Sequence, residues 1–254
     1  MPAHGHKRAF LKVANLLVEI GNTALKAAWS DGMTLGKTFR YQGEKVIKFI
    51  LSLLEKEKPD VMVVSSVYAI SEYDENRLRN ACQNLMILDG RYVEILGAHG
   101  IPRYLTYDRA ASVMACRYLF KGRGCTVMDF GNTLTVDFIT ADGTYSGGNV
   151  SLGCRTRFKA LNRYSKALPL VNVTDEILPC GNSVQTSIES GVISGIMFEI
   201  EGYQSLHPEN MTVFTGGDAI YFAKRMKNSI FVICNLVLMG LALIADEYVK
   251  KADK

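Results

Sequence analysis

The sequence has no paired metal or redox motif. Its six cysteines, at 82, 116, 125, 154, 180 and 234, include no CxxC pair, which removes zinc ribbons and thioredoxin-like centres. Such wide spacing in a chain this long reads as reduced, mostly buried thiols of a cytosolic protein. The four histidines, at 4, 6, 99 and 207, show no HxxxH pairing. The longest apolar stretch, Leu236 to Ala245, falls far short of the roughly 20 residues that cross a bilayer. An excess of one charge is lacking too. Lys and Arg number 29 against 25 Asp and Glu, and the net +4 is too scattered to point to nucleic acid or a membrane surface. Basic and then apolar residues open the chain, but Lys12 interrupts the apolar run and Glu19 ends it. Residues 1–12 therefore read as an extension and not as a signal peptide.

What is there suits a globular protein: 254 residues, 48% hydrophobic and 21% charged. At about 150 residues per domain this gives one to two domains, with enough chain to bury a core without disulfides. The informative feature is a repeat. Val18-Glu19-Ile20-Gly21-Asn22-Thr23 returns as Met128-Asp129-Phe130-Gly131-Asn132-Thr133, 110 residues later, and the turn Asp31-Gly32 returns as Asp142-Gly143, 111 residues later. Each copy follows an apolar run and continues into a strand-like segment, so two similar halves are expected.

Period and punctuation give the same plan twice. Strands are expected at 14–20, 24–30 and 33–41, a helix at 44–57, a strand at 61–67, a helix at 71–84, a short strand at Tyr92 to Leu96 and a helix at 108–121. The second half reads as strands at 125–129, 133–140 and 144–150, helices at 152–168 and 182–203, a strand at 211–214, and helices at 218–227 and 236–250. Hairpins followed by helix–strand alternation argue for two α/β halves around a central cleft, spanning 13–122 and 123–254.

A lone Gly-Asn between strands is ordinarily a type I′ turn, in which both residues take positive φ. Two copies, each with a carboxylate two residues earlier at the end of a buried strand, suggest more. An unpaired charge there is expensive, so a bound cation is its natural partner. Turn amides with a Thr hydroxyl nearby form a concavity for phosphates. Lys26 lies three residues past Thr23, where a returning strand could bring its ammonium to a phosphate. Thr215-Gly216-Gly217-Asp218-Ala219 stands at a strand-to-helix junction, where glycines admit a ligand to the backbone; the plainer reading is a tight turn with Asp218 as helix cap. Gly147-Gly148 is a turn or a point of close approach. Asp108 could cap the helix it opens. Arg109 beside it is misplaced against the helix dipole, which points to an external anion.

Taken together, Gly21-Asn22-Thr23 with Lys26, Asp108-Arg109, Asp129-Phe130-Gly131, Gly147-Gly148, Thr215 to Ala219 and the Leu236 to Leu241 tail resemble the type III pantothenate kinases. These belong to the actin-like, sugar-kinase-like (ribonuclease H-like) ATPase superfamily. The resemblance runs from about Asn15 to Tyr248. It implies ATP-dependent phosphorylation of pantothenate to 4′-phosphopantothenate, the first step of coenzyme A synthesis, in a cytoplasmic homodimer. It implies that Glu19, Gly21, Asn22, Thr23, Lys26, Asn132, Gly216 and Gly217 hold ATP and that Asp108 is the general base. Arg109 would bind the pantothenate carboxylate by a bidentate pair, with His99, Thr106, Tyr107 and Val184 lining the substrate. Asp129 would hold a monovalent cation, K⁺ or NH₄⁺, and Glu19 would assist Mg²⁺. The chain departs from the family pattern at Glu19 (usually Asp), Asn132 (Thr), Leu152 (Pro), His99 (Tyr), Thr106 (Gly) and Val184 (Thr). Ser183 or Thr186 is the candidate to replace the hydroxyl missing at Val184. Alternative readings are a kinase of the same fold for another small hydroxy acid, and a nucleotide-binding regulatory protein.

Overall fold

The computed structural model describes residues 14–55, 57–89 and 93–252, so the extension expected over residues 1–12 lies outside the described residues. The chain forms two compact units. One runs to Asp89 and takes in the chain from Leu241; the other ends at Gly240.

In the first unit β1 (Asn15–Ile20), β2 (Leu25–Asp31) and β3 (Thr34–Tyr41) form an antiparallel meander. Helix α1 (Val46–Leu54) leads to β4 (Met62–Ser66), and α2 (Glu72–Ala81) leads to β5 (Leu85–Ile87). The sheet order is β3-β2-β1-β4-β5, with β4 parallel to β1 and β5 parallel to β4. β1 is the central strand, and its Leu16, Leu17, Val18 and Ile20 are buried. A strand covered on both faces reads as a continuous apolar run, which is how this one reads. Leu16, Val18 and Ile20 share a core with Ile50, Leu53 and Leu54 of α1 and Leu78 of α2. α2 starts at Ser71, whose side chain accepts the Asp74 N–H at 3.1 Å, with Glu72, Asp74 and Glu75 in the first turn. Both features stabilise a helix N-terminus.

The second unit begins with α3 (Val93–Ala98) and α4 (Tyr107–Leu119) and then repeats the plan. β6 (Cys125–Phe130), β7 (Thr133–Ile139) and β8 (Tyr145–Leu152) form a meander. α5 (Cys154–Tyr164) and α6 (Val184–Leu206) lead to β9 (Met211–Gly216), and α7 (Ala219–Ala223) leads to β10 (Phe231–Val232). The order β10-β9-β6-β7-β8 is the first sheet's order with β6 in the place of β1. Leu134, Val136 and Phe138 of β7 face a core shared with Phe158 of α5, Ile193 and Ile196 of α6, and Phe222 of α7. Alternation turns Thr135 and Asp137 to the opposite face. Helix α8 (Leu236–Ala252) starts in this unit and continues into the other.

Several expectations need correction. The short strand expected at Tyr92 to Leu96 is not one: Val93–Ala98 is α3, and Tyr92 lies outside the described residues. The edge position beside β4 is taken by Leu85–Ile87, an apolar triplet immediately after the segment read as helix. Alternation over five residues cannot separate a half-buried strand from a short helix, and here the neighbouring strand decides. The type I′ geometry for the Gly-Asn pairs is also absent. Neither Gly21 nor Gly131 has positive φ, and no non-glycine residue does among the described residues. Gly32 (φ 54°) and Gly143 (φ 87°) do take the left-handed conformation at the two Asp-Gly turns.

Within the second unit the start of α8 packs against α4 so closely that a Cβ on Gly240 would lie 1.9 Å from the Ala111 carbonyl oxygen. Because backbone cannot step aside cheaply, Gly240→Ala is expected to destabilise the protein by about 1–3 kcal/mol. Urea unfolding measures this, and an unchanged midpoint would contradict the packing.

Candidate functional site

The first acid–glycine turn lies at the end of β1. Glu19 pairs directly with Lys26 across the antiparallel ladder and with Ser65 on the parallel side. This register puts the two charges on one face of the sheet, with Lys26 Nζ 3.7 Å from Glu19 Oε2. Both are partly exposed, at 27% and 17% of their side chains, so the pair orients the ammonium more than it stabilises the fold. The hairpin closes through the Gly21 N–H, which donates to the Ala24 carbonyl at 3.1 Å, leaving Asn22 and Thr23 exposed at the tip.

The second turn occupies the same place on β6. Asp129 lies between Thr135 of β7 and Thr215 of β9, as Glu19 lies between Lys26 and Ser65. Its loop is one residue shorter, since Phe130 pairs with Leu134 where Ile20 pairs with Leu25. Gly131 donates to Thr133 O at 3.0 Å. The N-terminus of α5 is fastened to this turn: Asn132 O accepts from the Gly153 N–H at 2.9 Å and from Thr156 Oγ1 at 2.7 Å. Gly216 ends β9 with φ 92°, and a Cβ there would lie 2.3 Å from Asp129 Oδ1. Gly217 follows it, exposed, and the Asp218 N–H reaches Phe130 O at 3.3 Å. Asp218 stands at the N-cap of α7 but makes no side-chain cap bond. Its carboxylate is 3.8 Å from Arg155; burial raises its pKa, and Arg155 opposes the rise. The neighbouring Cys154 thiol is pushed up to about 11, first by burial and then by Asp218, so at neutral pH it is not a thiolate.

The third element is the start of α4. Thr106 occupies the N-cap without a side-chain cap bond, so Asp108 is the second helical residue and not the cap. Asp108 is half-buried and makes no side-chain hydrogen bond or ion pair among the described residues. Arg109, one residue on, does meet an anion, but that anion is internal. Arg109 Nε donates to Asp137 Oδ2 at 3.1 Å and Nη2 donates to Oδ1 at 2.7 Å. Tyr145 OH donates to the same Oδ1 at 2.9 Å. Burial works against the guanidinium charge, and Asp137 more than offsets it, holding Arg109 above its ordinary pKa. Tyr145 is raised by burial and then by Asp137. Sequence reasoning passed over Asp137 and Tyr145. The available signal was an acid at an alternation position of a strand, opposite Gly148.

The remaining expected residues are placed as follows. His99 and Thr106 are exposed and Tyr107 is half-buried. The His99 carbonyl accepts from Arg117 at 2.6 Å. Val184 is the first residue of α6 and 56% exposed. The neighbouring hydroxyls are engaged in capping the helix. Ser183 and Thr186 form a capping box, with Thr186 Oγ1 accepting from the N–H groups of Asn182 and Ser183 at 3.0 and 2.9 Å.

A meander followed by two parallel strands, built twice, with an acid and a glycine turn ending each central strand, defines an α/β protein of the actin-like, sugar-kinase-like ATPase fold. Solved structures agree. A 2-hydroxyisocaproyl-CoA dehydratase activator from Clostridium difficile, with bound ADPNP, matches at TM-score 0.59 and 12% identity, over 94% of this chain and 97% of that one. A putative Baf family transcriptional activator from Campylobacter jejuni matches at TM-score 0.59 and 23% identity, over 92% and 99%. Both show the fold alone. The family model described as type III pantothenate kinase matches residues 15–205. A type III pantothenate kinase of Phocaeicola vulgatus is 36% identical over 232 residues, 89% of this chain and 96% of that protein. One of Cytophaga hutchinsonii is 34% identical over 236 residues, 91% and 98%. The chain belongs to the type III pantothenate kinase family, a family of ATP-using enzymes.

Gly216 joins a left-handed backbone to close contact with Asp129. Gly216→Ala is therefore expected to cost about 2 kcal/mol or more. Gly202→Ala, at an open helical position, should be neutral or stabilising by up to about 1 kcal/mol. Urea unfolding of the pair tests this, and equal midpoints for the two variants would contradict it.

Proposed function

We propose that the chain transfers the γ-phosphoryl group of ATP to the 4′-hydroxyl of pantothenate, giving 4′-phosphopantothenate and ADP, with Asp108 as general base. The observation that carries this is the pairing at the start of α4. Asp108 is a carboxylate without a side-chain partner among the described residues, next to a cation held rigidly by Asp137. Asp108 would accept the hydroxyl proton as the oxygen bonds to the γ-phosphorus. Arg109 would hold the substrate's carboxylate, with His99, Thr106, Tyr107 and Val184 lining the acid. Phosphoryl transfer asks the protein for alignment and charge neutralisation more than for covalent chemistry. The Gly21-Asn22-Thr23 turn with Lys26, and Asn132 with Gly216 and Gly217, are the groups we assign to ATP.

Glu19 supplies the single carboxylate that suits Mg²⁺, an ion whose other ligands are usually phosphate oxygens and water. Among the described residues no group of three His, Cys, Asp or Glu is gathered as a metal cage, in keeping with an ion carried by its nucleotide. Asp129 suits K⁺ or NH₄⁺. The space that a Cβ on Gly216 would fill is bordered by Asp129 Oδ1 at 2.3 Å, the Phe130 N at 2.6 Å and Phe130 O at 2.7 Å, of which the two oxygens are hard donors. When bound, these cations supply neutralisation of phosphate charge.

All six cysteines are free thiols, which fits action in the reducing cytoplasm. No described helix is long and apolar enough to cross a membrane. We assign the chain to a homodimer. An apolar groove of ≈ 930 Å³ between α5 and α6, lined by Leu161, Tyr164, Leu168, Val184 and Ile188, offers an area for a second copy.

Asp108→Asn should lower turnover by about 10²–10⁴-fold while ATP binding persists. Pantothenate-dependent ADP release measures it, and near-normal turnover would exclude Asp108 as the base. Replacing K⁺ by Na⁺ should markedly reduce the same rate if Asp129 holds the cation; equal rates in the two salts would contradict that role.

A further inference from the structure

Asp137 is a carboxylate whose side chain is 3% exposed, on the face of the second sheet away from the α5–α6–α7 core. Every bond it makes serves one task. Oδ2 accepts from Arg109 Nε, and Oδ1 accepts from both Arg109 Nη2 and Tyr145 OH. The remaining Nη2 hydrogen points to the Tyr145 oxygen at 3.4 Å. The sheet makes room for this cluster at Gly148, the residue opposite Asp137 in the β7–β8 ladder. A Cβ there would lie 2.7 Å from both Arg109 Nη2 and Asp137 Oδ1, and 2.3 Å from the Val136 carbonyl.

Stability alone does not account for such a cluster, because a buried ion pair is often no more stabilising than apolar side chains of the same volume. Its distinctive effect is geometric. A guanidinium fixed at Nε and Nη2 has lost its freedom to roll, since the group is planar and its five N–H directions are rigidly related. Nη1 makes no hydrogen bond among the described residues, and the Arg109 side chain is only 13% exposed.

We propose that Asp137 is a positioning residue. Together with Tyr145 it occupies the Nε–Nη2 edge of Arg109, so that the guanidinium offers its Nη1 end to the carboxylate of the acid substrate. The inference rests on the reading of Arg109 as the group that takes that carboxylate, and it changes how the contact is made. A substrate carboxylate does not dock bidentately on the Nε–Nη2 edge, because Asp137 is already there. The cluster also ties β7 and β8 to the helical turn that carries Asp108, so one buried carboxylate sets the orientation of the substrate acid beside the proposed base.

The test is a double-mutant cycle with steady-state kinetics. Asp137→Asn is expected to lower kcat/KM for pantothenate by about ten- to a hundredfold, as misplacement of a positioned group does, with KM for ATP changed by less than about twofold. In an Arg109→Lys background the same substitution should change kcat/KM by less than about threefold, because residues acting through one another are not additive. If the two effects multiply, or if Asp137→Asn behaves as wild type, the positioning role is overturned. If Arg109→Lys alone leaves kcat/KM for pantothenate unchanged, the reading of Arg109 itself falls. Should Asp137→Asn fail to fold, Tyr145→Phe takes its place. It should lower kcat/KM for pantothenate several-fold on its own and not at all on the Arg109→Lys background, and a loss of equal size on both backgrounds overturns the proposal.

Discussion

A carboxylate almost without solvent, Asp137 in β7, imposes the constraint on which the packing of α4 against the second sheet depends. Leaving such a charge unpaired would cost several kcal/mol, so a cation must be brought to it. The cation comes from the first turn of α4, where a positive charge would otherwise be out of place against the helix dipole. Joining the two fixes how α4 lies on β7 and β8. It therefore also fixes Asp108, which precedes Arg109 in the chain and points elsewhere by the helical rotation of about 100° per residue. Gly148 is the steric counterpart of the constraint, since the cluster fills the space that any side chain there would need.

A second theme is duplication with divergence. Both sheets have the same order, and both place an acid near the end of the central strand with a glycine just beyond. The surroundings of the two acids differ. Glu19 faces Lys26 across the ladder, while Asp129 faces the hydroxyl residues Thr135 and Thr215. Glu19 thus has a cation beside it within the sheet, while the strand neighbours of Asp129 carry hydroxyls. The extra methylene of Glu19 relative to Asp129 goes with that difference, because it brings the carboxylate to the ammonium. The same supersecondary unit thus surrounds its acid differently in the two copies.

The architecture was legible because it is written twice. The repeated acid–glycine motif, the Asp-Gly turns and the continuous apolar runs of β1 and β6 each have one local cause. Burial on both faces explains the runs, and positive φ explains Gly32 and Gly143. Reading failed where a neighbour in space decided the outcome. Val93–Ala98 is helical, and Leu85–Ile87 holds the position beside β4. The Gly-Asn turns avoid positive φ; the second is packed by the N-terminus of α5, which is distant in sequence. At the site, Arg109 was visible as an oddity of helix chemistry, but its partner was not. Asp137 is one of several polar residues alternating along a strand, and nothing local distinguishes one that faces water from one that faces a guanidinium 28 residues away. The commitment of Thr186 to a capping box was hidden for the same reason, although its spacing from Ser183 is that of a known cap.

A crystal structure with pantothenate bound measures the central claim most directly. The account predicts the substrate carboxylate on Nη1 of Arg109, the Arg109–Asp137 pair intact, and the 4′-hydroxyl within hydrogen-bond distance of Asp108. A carboxylate that displaces Asp137 from the Nε–Nη2 edge, or a hydroxyl turned away from Asp108, would contradict it.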